Sequence, residues 1–349
     1  MNNLIVINDK IYGESIGNFN RVFLQAAGKD ARLYTMIYAK KYMKVELEGK
    51  VCKGLNLPFT SGWYVNYRFQ NIIFRRFIQG INSDKNAIKI YASQQIRPFK
   101  VSRESVVVHD LIPLRYKGYS NKFITSILKK NMEHYKTLPV IATVSNFTKK
   151  NLEEYGIESK IDVIYNPVSK EYSPIDNKSM LRRNLGLPEK KVLVLSVSAN
   201  YPWKNLNLLK SAVEILGSDY KLVRVGPGIG DSINFERISN EKLNQIYNAC
   251  DVLVLPSSYE GFGLPLAEGL AVGIPVVASD IEVFHEIAGD SVLFSPIDAK
   301  GIAGSIKEAV ASSDEMRYRG LRRSQLYSED SFKKRTLNFI SDLSTFFGP

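Results

Sequence analysis

Residues 251–280 read DVLVLPSSYEGFGLPLAEGLAVGIPVVASD. Val252 to Leu255 is short, apolar and rich in β-formers, and Pro256 ends it, so it reads as a buried strand. A loop with two close glycines follows, Gly261 and Gly263. Pro265 stands where a helix would start, a position at which its missing N–H does no harm. Leu266, Ala267, Leu270 and Ala271 give that helix an apolar face, Gly273 ends it, and Ile274 to Ala278 is a second buried strand. The pattern is a β-loop-α-β unit of a parallel sheet. Glu260 lies just past the first strand, where open α/β sheets bind ligands. The glycines let a ligand approach the backbone, and the helix N-terminus suits a phosphate. Glu268, a turn into the helix, can accept two hydrogen bonds from a vicinal diol such as a ribose. A surface loop with an ordinary capping carboxylate is the plain alternative.

Outward from this segment, strands and helices alternate. The first half shows strands at Leu4 to Ile7, Ile88 to Ala92, Val106 to Val108, Val140 to Val144 and Ile161 to Tyr165, with helices near 120–138 and from a Ser145 cap to Gly156. Residues 31–65 read as short strands and loops. Gly13 and Gly17 follow the first strand and precede an apolar helical pattern at Phe19, Val22, Phe23 and Ala26; the spacing is not G-x-G-x-x-G, so a simple turn fits as well. His109 comes directly after a strand, on the ligand side of a parallel sheet, although a lone histidine there is often structural. Residues 66–81, NYRFQNIIFRRFIQGI, form an amphipathic helix with an aromatic face; packing on a sheet is favoured over lying on a membrane.

Asn166 to Pro188 is polar with three prolines and reads as a linker. Strands then recur at Val192 to Val197, Leu222 to Val225 and Val292 to Phe294. Helices are expected from Leu206, over 239–249 with Ser239 as cap, over about 299–311 and over 330–346. Lys204 stands at a βα junction, where an ammonium can neutralise phosphate, though a surface lysine needs no such role. The fold class is α/β, with two doubly wound, Rossmann-like domains: 1–168, a linker at 169–188, and 189–330, with a tail helix at about 331–349 that packs back on the first domain.

With 349 residues, 44% hydrophobic and 23% charged, the chain has the composition of a soluble globular protein with room for two cores. No apolar run approaches the roughly 20 residues of a membrane span. The N-terminal MNNLIVINDK enters a strand at once, so no secretory signal is expected. Cys52 and Cys250 lack metal-site spacing and fit a reduced, cytosolic protein. Residues 1–170 hold 27 lysines and arginines against 13 aspartates and glutamates, a balance of +14; residues 171–349 hold 20 against 22, a balance of −2. The basic half would attract an anionic partner such as membrane lipid or a phosphorylated acceptor. No nucleic-acid motif is present.

HDLIPLRY (109–116), VSNFTKKNLEEYG (144–156), Pro202 to Asn205 as P-x-K-N, and EGFGLPLAE (260–268) together resemble the retaining glycosyltransferases of family 4. That resemblance implies the GT-B fold, two Rossmann-like domains facing across a cleft. It assigns the donor ribose to Glu268 and the sugar hydroxyls to Glu260. The backbone around Gly261, Phe262, Gly263 and Leu264 would reach the sugar or phosphate. Lys204 would bind the diphosphate, His109 would lie near the donor sugar, Gly17 near the diphosphate and acceptor, and Gly226 and Ile238 near the base. The chain departs from the family at Ser198-Ala199 and Trp203-Lys204, where Gly-Thr and Arg-Lys are common, so one positive charge is missing there. It departs again at Asn166-Pro167.

The resemblance implies transfer of a sugar from a nucleoside-diphosphate sugar to an acceptor hydroxyl with retained configuration. No metal and no other cofactor are expected, and His109, Lys204 and Glu260 are the candidate catalytic residues. The H-D-L-I-P form points toward mannose from GDP-mannose. The basic half points toward a lipid-linked or membrane-proximal glycan acceptor, with the protein in the cytoplasm at the inner face of the membrane. The competing readings are a nucleotide-sugar epimerase or a phosphorylase on the same fold, and a non-catalytic binder of anionic membrane or nucleic acid.

Overall fold

The computed structural model describes residues 4–8, 15–28, 31–37, 53–56, 84–92, 102–119 and 121–348. The chain divides into two compact units: Met1–Arg115, Ser120–Pro167 and Phe332–Pro349 form one, and Tyr116–Tyr119 with Val168–Ser331 form the other. The helix expected over 66–81, Gly13 and Cys52 lie outside the described residues.

The first unit is built on a parallel sheet of β1 (Leu4–Asn8), β2 (Arg32–Ile37), β3 (Lys53–Asn56), β4 (Ile88–Tyr91), β5 (Glu104–Val108), β6 (Val140–Thr143) and β7 (Lys160–Val163), in the order β3-β2-β1-β4-β5-β6-β7. Strands β4, β5 and β6 are buried on both faces, which is why they read as unbroken apolar runs rather than alternating ones. The helix Ser15–Ala26 presents Phe19, Val22 and Phe23, all fully buried. The closing helix Glu329–Phe347 buries Phe332, Phe339 and Leu343. Phe332 meets Phe19 edge-on at 4.9 Å between ring centroids, and Phe339 meets Phe23 at 6.4 Å. Lys160 pairs with Asp342 at 2.6 Å.

The second unit has a six-stranded parallel sheet: β8 (Val192–Val197), β9 (Tyr220–Val225), β10 (Ile233–Phe235), β11 (Val252–Leu255), β12 (Val276–Ser279) and β13 (Leu293–Ser295), in the order β10-β9-β8-β11-β12-β13. Helices Leu206–Leu216 and Ala299–Ala311 pack on one side through Leu209, Ala212, Ile302 and Ile306. The strand order reverses between β1 and β4 in the first sheet and between β8 and β11 in the second. At such switch points the loops leaving the C-terminal strand ends diverge and open a ligand crevice.

Three differences from the sequence reading have clear causes. The polar stretch read as linker contains a helix, Lys178–Leu185, held by an Asn177 side-chain cap and a left-handed Gly186. Only Leu181 and Arg182 of it are buried, too few to show a helical period. The helix Ser313–Ser324 escaped notice for the same reason, since it buries only Met316, Gly320 and Ser324. The third is β10, a three-residue edge strand without an apolar run. No described helix is long and apolar enough to cross a membrane.

Candidate active site

Two loops of the second unit leave adjacent strands at its switch point. The loop after β8 carries Ser198 to Asn205; the loop after β11 carries Pro256 to Gly263. They are latched together. Asn205 takes a left-handed backbone (φ 48°), and its Nδ2 donates to the Pro256 carbonyl at 2.8 Å and to Ser258 Oγ at 2.6 Å. The Ser258 amide donates to the Trp203 carbonyl at 2.8 Å. Trp203 is buried and stacks against Tyr201 with centroids 4.6 Å apart.

This latch brings two of the sequence-predicted residues into direct contact. Lys204 ends a short 3₁₀ turn, Pro202–Lys204, and its Nζ donates to Glu260 Oε1. Ser257 Oγ donates to the same oxygen at 2.8 Å. The ion pair is well shielded, with side-chain exposures of 17% and 13%, so it is worth more than a surface pair. It also means that Lys204 and Glu260 together carry no net charge.

The helix after this loop starts at Leu264, so Pro265 is its second residue, and its missing N–H still falls within the first turn. Gly263 precedes it with φ +88°, and a Cβ there would come within 2.6 Å of the Phe284 ring. No side chain caps this helix and its first turn holds no acidic residue. The N-terminal dipole is therefore open to a ligand anion. Gly261 and Phe262 are buried, and Phe262 packs edge-on against Tyr327 at 5.4 Å.

Glu268 does not join the Lys204–Glu260 pair. It is buried, with Oε2 accepting from the Tyr247 hydroxyl at 2.8 Å, and the nearby Tyr172 hydroxyl, which donates to Asn240 Oδ1 at 3.4 Å, also favours the charged carboxylate. Burial pushes its pKa from 4.5 to about 7, against the Tyr247 and Tyr172 hydroxyls that favour the charged form. Gly226 directly follows β9 with φ +127°, and a Cβ there would overlap the Ser198 carbonyl oxygen, so the loops after β8 and β9 meet backbone to backbone. Ile238 is half-buried directly before Ser239, whose side chain caps the helix Asn240–Ala249.

In the first unit, His109 follows β5 and is buried. Its Nε2 donates to the Ala92 carbonyl at 2.9 Å and its ring meets Phe19 edge-on at 4.9 Å. Burial lowers its pKa from 6.5 to about 4, so the imidazole is neutral at neutral pH. Gly17 is the third residue of the helix Ser15–Ala26.

Sequence reasoning missed Tyr172, Tyr247 and Ser257, the groups that fix the two glutamates. Nothing local marks them, because their partners lie 96, 21 and 3 positions away, and only the Ser257 to Glu260 spacing was visible in one loop. Arg224 was also missed, although a charge inside the run Tyr220–Val225 is a signal.

Residues 177–322 match the family model of glycosyl transferases group 1. The matched residues lie within the second unit. That span holds both latched loops, Lys204, Glu260 and Glu268. The O-antigen chain mannosyltransferase RfbU of Salmonella typhimurium is 28% identical over 225 residues, 58% of this chain and 60% of that protein. The chain thus spans less than two thirds of this relative. Among solved structures, sucrose-phosphate synthase of Thermosynechococcus elongatus superposes with a TM-score of 0.81 at 18% identity, covering 98% of this chain and 100% of the other. HepE of Anabaena in complex with UDP-glucose does so with 0.76 at 15%, covering 97% and 99%. At such identities the likeness is one of fold: the two units are the Rossmann-like domains of a GT-B fold.

Proposed function

We propose that the protein is a retaining glycosyltransferase that moves a sugar from a nucleoside-diphosphate sugar to an acceptor hydroxyl without a metal. The observation that carries this reading is the Lys204–Glu260 pair at the β8/β11 switch point, beside an uncapped helix N-terminus. Negative charge grows on the leaving diphosphate as the glycosidic bond breaks. Lys204 and the N–H groups opening the helix at Leu264 are suited to receive that charge. A phosphate arriving at Lys204 competes with Glu260 for the ammonium and frees the carboxylate to accept from sugar hydroxyls. Glu268, fixed by Tyr172 and Tyr247, is the ribose acceptor in its ionised form.

The remaining assignments follow the family resemblance: His109 serves the donor sugar as a neutral group, Gly17 the diphosphate and acceptor, and Gly226 and Ile238 the base. Similarity to a mannosyltransferase supports mannose as the transferred sugar, and the H-D-L-I-P form supports GDP-mannose as its donor. The basic first half of the sequence supports a lipid-linked glycan acceptor at the cytoplasmic face of a membrane. The test is sugar transfer by the purified protein and by Lys204→Ala and Glu268→Ala. Both substitutions abolish transfer on this reading; full activity in both contradicts it.

A further inference from the structure

The largest fully buried side chain among the described residues is a cation, Arg224, in the interior of β9. Nη1 donates to Ser196 Oγ at 2.9 Å, to the Ser196 carbonyl at 3.2 Å and to Ser198 Oγ at 3.2 Å. Nη2 donates to the Ser198 carbonyl at 2.7 Å and to the Pro227 carbonyl at 3.4 Å. Every partner is neutral, and Nε has none among the described residues. The other buried arginine of this unit, Arg182, follows the usual rule, since its Nη2 meets Asp251 Oδ2 at 2.6 Å. A buried charge without a counter-charge is costly, so its retention needs a cause.

Its position supplies one. Arg224 ties the loop after β8, through Ser198, to the loop after β9, through Pro227, and both leave the ligand end of the sheet. Gly226 lets these two backbones touch. Six residues beyond Ser198 the same loop holds Lys204, whose charge is already matched by Glu260. Arg224 is therefore a positive charge without a carboxylate partner, bound directly to both of these loops, and a diphosphate needs positive charge.

We propose that Arg224 is a positioning residue for the donor diphosphate: it fixes Ser198 and the loop after β8, and it adds to Lys204 a second positive charge that no carboxylate matches. This rests on the donor reading given above.

The test is calorimetric binding of GDP and UDP, and of guanosine and uridine, to the full chain and to Arg224→Met, Arg224→Gln and Arg224→Lys. The wild type binds the preferred nucleoside diphosphate. Met and Gln weaken that binding about tenfold or more while changing nucleoside affinity less than about twofold, and Lys restores most of the loss. Should Met fail to fold, the comparison of Gln with Lys decides, since both keep a donor and only Lys keeps the charge. Unchanged diphosphate affinity in Gln, or equal loss for nucleoside and nucleoside diphosphate, overturns the proposal alone. A wild type that binds neither nucleoside diphosphate overturns the donor reading beneath it.

Discussion

Glu268→Gln separates stability from function at one atom pair. Burial raises the Glu268 pKa from 4.5 to about 7 in the folded protein. Between those values the folded state keeps the proton and the unfolded state has lost it. The folded state then binds more protons, so stability falls as pH rises through this window and levels off above about 7. At about 1.4 kcal/mol per pKa unit, the cost between pH 5 and pH 8 is about 2–3 kcal/mol. Glutamine keeps the shape and can still accept from Tyr247, but it cannot ionise. Thermal unfolding of both proteins at pH 5 and pH 8 should show the variant gaining on the wild type by roughly 5–10 °C over that interval. Sugar transfer should fall sharply in the same variant, because a neutral amide is a poorer acceptor for a diol. In the wild type, KM for the donor should rise as pH drops through about 7. Parallel pH dependence of stability in the two proteins would refute the reasoning.

Further outcomes follow from the same geometry. His109→Gln can still donate to Ala92, and it should remove an acid-side loss of stability of about 3 kcal/mol between pH 6.5 and 4, where the unfolded histidine takes a proton and the buried one does not; a pH series of unfolding transitions checks this. Lys204→Met and Glu260→Gln should each destabilise the protein, while the double variant should lose less than their sum by about 1–3 kcal/mol, as measured by a double-mutant cycle. Gly263→Ala puts a side chain at φ +88° against Phe284, and it should cost about 1–3 kcal/mol in unfolding free energy and lower transfer.

The parallel sheets were legible because β4, β5, β6 and β11 are buried on both faces and read as plain apolar runs. Caps were legible too: Ser145 and Ser239 each accept from the amide three residues on. Helices with few buried residues, such as Ser313–Ser324, left no period to find. For the site, EGFGLPLAE and P-x-K-N were visible as separate motifs, but their meeting was not. The Lys204–Glu260 contact spans 56 positions and depends on β8 and β11 being neighbours. Tyr172 and Tyr247 around Glu268 are invisible for the same reason, and with them the raised pKa.

Donor turnover decides whether the protein transfers sugar from a nucleoside-diphosphate sugar. The purified protein is offered GDP-, UDP- and ADP-sugars with a lipid-linked glycan acceptor, and released nucleoside diphosphate is measured. Release is expected from one donor class, GDP-mannose foremost, that depends on acceptor and is lost in Lys204→Ala. No release from any donor, or release unaffected by that substitution, would contradict it.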